Sequence, residues 1–366
     1  MTTHRCLAVT IFFLAPLITL AQPAGDLSPN IQPDHRVTFQ LKAPKAKEVG
    51  IRGQWDRELK PMTQGEGGVW SITTEPIAAG VWEYSFVVDG LQMIDPSNSA
   101  IKPQRSPVSS ILHLPGSPLN PWDFQDVPHG SVHIHDYLSK SLGKQREAWV
   151  YTPPGYEQDS TTKYPLLVLQ HGSGDNQMGW VMHGKAHWIL DNLIAAGKAK
   201  PMILLMIDGH PLGRYPKDAA NEVRLKALDA FRRELLEDAI PLVEARYRVS
   251  MEREQRAITG LSMGGWHSLS VGLTNLDRFA WVGSFSGAVD LDYIKPALDD
   301  AAGTNAKLKL LWIGVGKNDF LLAKNEALIE KLKAADIHHE WHLTEGDHSW
   351  PIWRNYLTEF APLLFR

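Results

Sequence analysis

The spacing of hydrophobic positions along this chain changes twice, and each change marks a different kind of structure. Residues 6–20 are an apolar run interrupted only by Thr10, Pro16 and Thr19. From 36 to 114 the pattern becomes a series of short runs, 36–41, 48–52, 68–73, 81–88 and 109–114, divided by Gly and Pro. Several of them alternate apolar with polar residues, the period of a strand buried on one face. The run 81–88 ends in Asp89-Gly90, a dipeptide suited to a two-residue hairpin turn. Runs at this regular spacing predict a small all-β, immunoglobulin-like sandwich.

After 146 the runs become continuous, at 146–150, 163–170, 201–207, 281–285 and 309–314. A strand apolar on both sides needs cover on both sides, as in a parallel sheet flanked by helices. Helices are predicted at 188–196, 324–335 and 351–364, with a strand at 338–343. A longer helix carries Leu228, Phe231, Leu235 and Ala239 on one face and Arg232, Arg233, Glu234 and Glu237 on the other. Such alternation predicts an α/β domain with a doubly wound, mostly parallel sheet. Pro and Gly crowd 115–121 and recur at 127–130. The predicted division is therefore a leader at 1–21, a β-domain at 27–115, a linker at 116–130 and the α/β domain at 131–366.

Composition adds limits. The 366 residues are 43% hydrophobic and 21% charged, enough for two globular domains, and a net charge of -4 gives no general attraction for nucleic acid or anionic lipid. Met1 to Arg5 is a short cationic start, and Thr19-Leu20-Ala21 places small residues at the -3 and -1 positions of a cleavage site. The apolar run is short of the ~20 residues a membrane span needs, so the segment reads as a cleaved secretory signal. The expected product is secreted or periplasmic, without a membrane span. The single cysteine, Cys6, lies within that leader and ahead of its apolar core, which argues against lipidation and leaves no thiol or disulfide chemistry afterwards.

The candidate chemistry begins at Gly260-Leu-Ser-Met-Gly264. G-x-S-x-G between a strand and a helix is the pattern of a nucleophile elbow in an α/β-hydrolase fold. The serine sits on a strained turn, and glycine at both flanks avoids collision with the neighbouring elements. Ser262 then needs a base, and the base needs a carboxylate. In this fold the order is Ser, acid, His, each in a loop at a strand's carboxyl end. Asp319 and His348 satisfy that order. An oxyanion hole is expected from the N–H of Met263 and of Ser173, with Gly172 as the alternative to Ser173.

Rival residues fit less well. His171 lies upstream of the serine. Asp347 adjoins His348 and is expected to face solvent or cap the last helix, and Glu326 lies within the helix after Asp319. His183 and His187 have the i, i+4 spacing of a zinc pair, but no Glu follows His183 and Gly184 weakens a helix there, so no metal is expected. His338 and His342 read as an exposed or satisfied strand face. Trp266, Trp180, Trp350 and Trp353 adjoin the motif loops; the first three, and Trp353 with them, are candidates for an aromatic substrate pocket.

Two resemblances follow from these residues. Ile51-Arg-Gly-Gln-Trp-Asp56, Gly80-Val-Trp-Glu-Tyr84 and Val87-Val-Asp-Gly90 with Asp95-Pro96 resemble the early-set sandwich of branching enzymes and isoamylases, classed as carbohydrate-binding module family 48. Trp55, Trp70 and Trp82 are read as packing residues of a domain bordering the site's mouth rather than as a glycan platform. Leu166 to Gly172, Asp238 to Glu244, Ala257 to Gly265, Ile313 to Gly316 with Asp319, and Gly346-Asp-His-Ser-Trp350 resemble the esterase D family. That family includes carbohydrate esterase family 1, with feruloyl and acetyl xylan esterases, and the siderophore (enterobactin) esterases. Gln170 departs from the Leu that many relatives carry before the His, a change expected at the floor of the acyl pocket. The resemblance implies a cofactor-free, exported serine carboxylic ester hydrolase acting on feruloyl or acetyl esters of xylan. The alternatives are a siderophore trilactone esterase, sharing the same residues, and a non-catalytic carbohydrate-binding protein on a hydrolase scaffold.

Overall fold

Between residues 28 and 114, in a computed structural model that describes residues 28–216 and 219–366, strand alternation closes two antiparallel sheets over a shared apolar core. The leader expected at 1–21 lies outside the described residues. Val37–Lys42 shows the rule: Val37, Phe39 and Leu41 are buried while the residues between them are not. They meet Ile51, Tyr84, Phe86 and Leu112 from the facing sheet. The hairpin after Gly80–Val88 pairs Val88 with Leu91, and its central residues Asp89 and Gly90 take φ of 46° and 85°. Two left-handed residues in succession are what a tight hairpin with the right-handed strand twist requires.

The second part is an eight-stranded mixed sheet. Its strands are β1 (Ser131–Ser139), β2 (Lys144–Thr152), β3 (Leu166–Gln170), β4 (Ile203–Ile207), β5 (Arg256–Gly260), β6 (Trp281–Phe285), β7 (Leu310–Gly316) and β8 (Glu340–Thr344). They lie in the order β1-β2-β4-β3-β5-β6-β7-β8, with the pairs β1–β2 and β2–β4 antiparallel and every other pair parallel. Every residue of β3, β4, β5 and β6 is buried. Successive residues of β3 go to opposite cores: Leu166 and Val168 join Leu228 and Phe231, whereas Leu167 and Leu169 join Ile189, Leu357 and Phe360. This is the fold of an α/β-hydrolase.

Two details differ from the sequence reading. No strand is legible at β1, yet it pairs with β2 over its full length. As an edge strand it leaves Ile134 and Leu138 exposed, so its apolar residues form no buried stripe. The long helix is also not continuous: Asn221–Arg233 passes through a π-helical stretch, Glu234–Ala239, into Ile240–Arg246. Glu234, expected on the polar face, is fully buried, where its carboxylate accepts from Tyr137 Oη (2.7 Å) and Arg146 Nε (2.6 Å). An ion pair with those hydrogen bonds offsets the desolvation of a buried carboxylate.

The layers come close at the turn between β5 and α2 (Met263–Thr274); α1 is Ala186–Ala195, α3 Leu322–Ala334 and α4 Trp350–Phe360. A Cβ on Gly264 would stand 2.5 Å from Gln170 O and 2.7 Å from His171 O, and one on Gly260 would stand 2.6 Å from Gln170 O. Backbone oxygens of a central strand cannot step aside cheaply. Gly264→Ala is expected to cost about 1–3 kcal/mol, read as a lower midpoint in urea, and an unchanged midpoint would show that the turn has slack.

Candidate active site

The elbow places Ser262 at φ 52°, ψ -113°, a conformation that is strained for any residue with a side chain. Neighbouring strands hold it there. Leu261 N–H donates to Gln170 O at the end of β3 (3.1 Å), and Ser262 N–H donates to Phe285 O at the end of β6 (2.8 Å). The chain then turns directly into α2, where Trp266 N–H donates to Ser262 O (3.0 Å). Met263 is the first residue of that helix, among those whose N–H groups have no intrahelical acceptor.

His348 comes from the loop between β8 and α4, and Asp319 from the loop after β7. The structure brings them to Ser262 in one hydrogen-bonded line. His348 Nδ1–H donates to the Asp319 carboxylate, at 2.8 and 3.0 Å from its two oxygens, which leaves Nε2 to accept from Ser262 Oγ at 2.8 Å. The Asp319 side chain is wholly buried and also accepts from Leu321 N–H (2.8 Å), while the His348 ring is partly open. Such a line can move the hydroxyl proton to the imidazole while a fixed negative charge supports the imidazolium.

Above Ser262 is a cavity of about 390 Å³, lined by His348, Gly172, Ser173, Trp350 and Trp353 from the α/β part. Residues of the first 115, namely Gln54, Arg57, Glu83 and Lys102, complete its wall. The other two tryptophan candidates are elsewhere. Trp266 packs into the core on the far side of α2, with the Arg224 guanidinium over its ring. Trp180 is buried, donates Nε1–H to Gln170 O (2.8 Å) and stands edge-on to Trp350. Nearness to a motif in sequence put both on buried helix faces. Gln170 itself is fully buried and does not line the cavity.

Asp347 neither caps α4 nor faces open solvent. It pairs with Arg57 of the N-terminal β-sheets and accepts from Ser349 Oγ. Burial pushes its carboxyl up, but the hydrogen bonds from Ser349 and Arg57 outweigh it and hold it below the usual carboxylate range. Glu326 is exposed on α3, and His342 stacks on Trp312, with centroids 4.5 Å apart, and reaches Glu340. His183 is fully buried against Trp350, and burial pushes its pKa well down.

Sequence reading missed a buried cluster at the end of β4. His171, Asp208 and His210 offer ligand atoms within 4.8 Å of one another. Both nitrogens of His171 are already engaged, Nδ1–H with Gly172 O (2.8 Å) and Nε2 with Gly209 N–H (2.8 Å), and Asp208 pairs with Arg105 and Arg146. A cation there would have to break these bonds, so the group is read as support for the loop Gly172–Gly174. The same signal that points to Asp319, a polar loop at a strand's carboxyl end, was present at Asp208-Gly-His210.

Comparison with known proteins gives the family. Residues 139–364 match the Esterase family, and the chain belongs to it. An endo-1,4-beta-xylanase/feruloyl esterase of Xylanibacter ruminicola is 30% identical over 356 residues, covering 93% of this chain. The match takes in 46% of that relative, so this chain spans about half of its length. Among solved structures, a ferulic acid esterase of the anaerobic fungus Anaeromyces mucronatus is similar at a TM-score of 0.57 and 25% identity, covering 66% of this chain and 93% of that one. The enterobactin esterase of Shigella flexneri, at 21% identity and a TM-score of 0.62, shares the fold over 89% of this chain and 92% of its own.

Two histidines, the buried His210 and the half-buried His187, set a pH limit on stability. Burial lowers His210 from 6.5 to about 4, outweighing the pull of Asp208, and burial also lowers His187 to about 4. Between those values the unfolded chain binds protons that the folded chain refuses, so stability is complete above pH 6.5 and falls as pH drops toward 4. Thermal melts across that window should show a declining midpoint, with His210→Gln flattening part of the decline. A midpoint that stays level from pH 6.5 to 4.5 would contradict this account.

Proposed function

We propose that this chain is an exported serine carboxylic ester hydrolase that removes feruloyl or acetyl groups from xylan. The observation that carries the reading is the Asp319–His348–Ser262 hydrogen-bonded line at a strained elbow. Ser262 Oγ attacks the ester carbonyl as His348 Nε2 takes its proton. The tetrahedral oxyanion is received by the N–H groups of Met263 and Ser173, with Gly172 as the alternative second donor. Collapse expels the alcohol, which takes the proton from His348. Water, deprotonated by the same imidazole, then attacks the acyl-enzyme and releases the acid and the serine.

The substrate class rests on the relative named as a xylanase/feruloyl esterase and on an aromatic cavity wall, Trp350 and Trp353, suited to an aryl acid. Export rests on the cationic, apolar and small-residue order of 1–21. Residues 27–115 are taken as an early-set, immunoglobulin-like module, 116–130 as its linker and 131–366 as the esterase domain. A second reading, hydrolysis of a siderophore trilactone, draws on the fold likeness to the enterobactin esterase, which extends over the first domain as well. One preparation assayed on methyl ferulate, acetylated xylan and a catecholate trilactone separates them. Turnover of the trilactone alone would replace the first reading with the second.

Ser262→Ala should lower ester turnover by several orders of magnitude with little change in melting, the residual rate coming from binding and the oxyanion donors. Asp319→Asn removes the charge that supports the imidazolium and can favour the wrong tautomer, a change that costs about 10⁴ in a serine-protease triad. Asp347→Asn should cost less than about ten-fold, because that carboxylate faces Arg57 rather than the imidazole. If Asp347→Asn is the crippling change and Asp319→Asn is near wild type, the assignment of the acid is wrong.

A further inference from the structure

The loop Gly172–Asp175, which carries the proposed oxyanion donor, is not secured by the α/β domain alone. The first domain's segment Lys102–Arg105 runs beside it. Gln104 and Asp175 form an isolated antiparallel bridge, and Arg105 N–H donates to Gly174 O at 3.0 Å. Side chains repeat the connection. Lys102 Nζ lies 2.9 Å from Glu83 and 3.6 Å from Asp175, with all three side chains largely buried. Arg105 pairs with Asp208, which neighbours His210, and Gly174 N–H donates to His210 Nε2 at 3.3 Å. The loop is therefore gripped from the first domain on one side and from the His171–Asp208–His210 cluster on the other, with Ser173 between the two grips.

We propose that Lys102 is a positioning residue for ester hydrolysis: through Asp175 and the Gln104 bridge it fixes the loop so that Ser173 N–H is aimed at the oxyanion. This rests on the reading of Ser262 as nucleophile. The physical argument is one of lost pairing. Asp175 is buried and Lys102 is the one full cation paired with it among the described residues, so removing the ammonium leaves its carboxylate, with the half-buried Glu83 on the other side of the lost cation, without a charged partner. The loop then moves Asp175 toward water, and Ser173 goes with it. A donor displaced by even a fraction of its hydrogen-bond length loses most of its preference for the oxyanion over the ground-state carbonyl.

The test is Lys102→Met, which keeps the length and loses the charge, together with Lys102→Arg, which keeps the charge, and Lys102→Met/Asp175→Asn, which removes the charge from both partners. Each is assayed on 4-nitrophenyl acetate and titrated with an aryl trifluoromethyl ketone, whose hemiketal carries an oxyanion. The expected result for Lys102→Met is a ten- to hundred-fold fall in kcat with KM within about three-fold, and an equal loss of ketone affinity. The double variant should recover part of both losses. Covalent labelling of Ser262 by a fluorophosphonate, lost in Ser262→Ala, checks the underlying reading separately. Labelling intact with kcat and ketone affinity unchanged in Lys102→Met overturns the inference alone, as does a fall in melting temperature with neither kinetic effect. Lys102→Arg, which keeps a cation between the carboxylates, should stay near wild type in both readouts; if Lys102→Met does not fold, Lys102→Gln takes its place, and unchanged kcat and ketone affinity there overturn the inference.

Discussion

Everything at the site depends on holding one residue in a backbone conformation it would not choose. Ser262 stays at its positive φ because β3 and β6 accept the N–H groups of Leu261 and Ser262, and because α2 begins at once beyond it. The cost of such a conformation is of order 1–3 kcal/mol, and only a surrounding structure that fixes both sides can sustain it. The glycines at 260 and 264 are the steric counterpart of the same constraint, since their Cα atoms pass too near the Gln170 carbonyl for any side chain. Sheet order matters for the same reason: β5 lies between β3 and β6, the two strands that supply the acceptors.

Against that fixed point the other groups arrive from loops at the carboxyl ends of strands. Asp319 and His348 come after β7 and β8, and Ser173 after β3. Parallel strands put these loops on one edge of the sheet, so residues distant in sequence converge without any of them needing a special local pattern. The first domain meets the same edge. Arg57 reaches the residue beside His348, while Lys102 and Arg105 reach the loop on the opposite side of the cavity.

Much of this was legible in the chain. Buried parallel strands announce themselves as continuous apolar runs, and the Ser–acid–His order singled out Ser262, Asp319 and His348, which the structure brings within hydrogen-bond distance. What was not legible has a common physical character. The edge strand β1 lacks a buried stripe because one side has no cover. Glu234 looks like a surface residue until Arg146 and Tyr137, from distant strands, are placed against it. Trp180 and Trp266 adjoin motifs in sequence but point into the cores. The partners of Asp347 and Asp175 are likewise fixed by tertiary contact with a different domain, which no local periodicity encodes.

Arg354 shows what that contact means for the molecule as a whole. It sits on α4, the helix that follows His348, and is almost without solvent exposure; its guanidinium donates to the Val81 carbonyl in the N-terminal β-sheets and lies over the ring of Trp122. Burial lowers its pKa to about 9, so the group is held charged at neutral pH in a place with little water. A cation that finds its acceptor across a seam makes the seam cooperative: parting the two domains would strip the guanidinium of its partner and leave the Val81 carbonyl bare. The segment that carries Val81 is then less an appendage to the eight-stranded sheet than the missing half of its surface, and a gene fragment encoding that sheet alone would give a protein with an unfinished face.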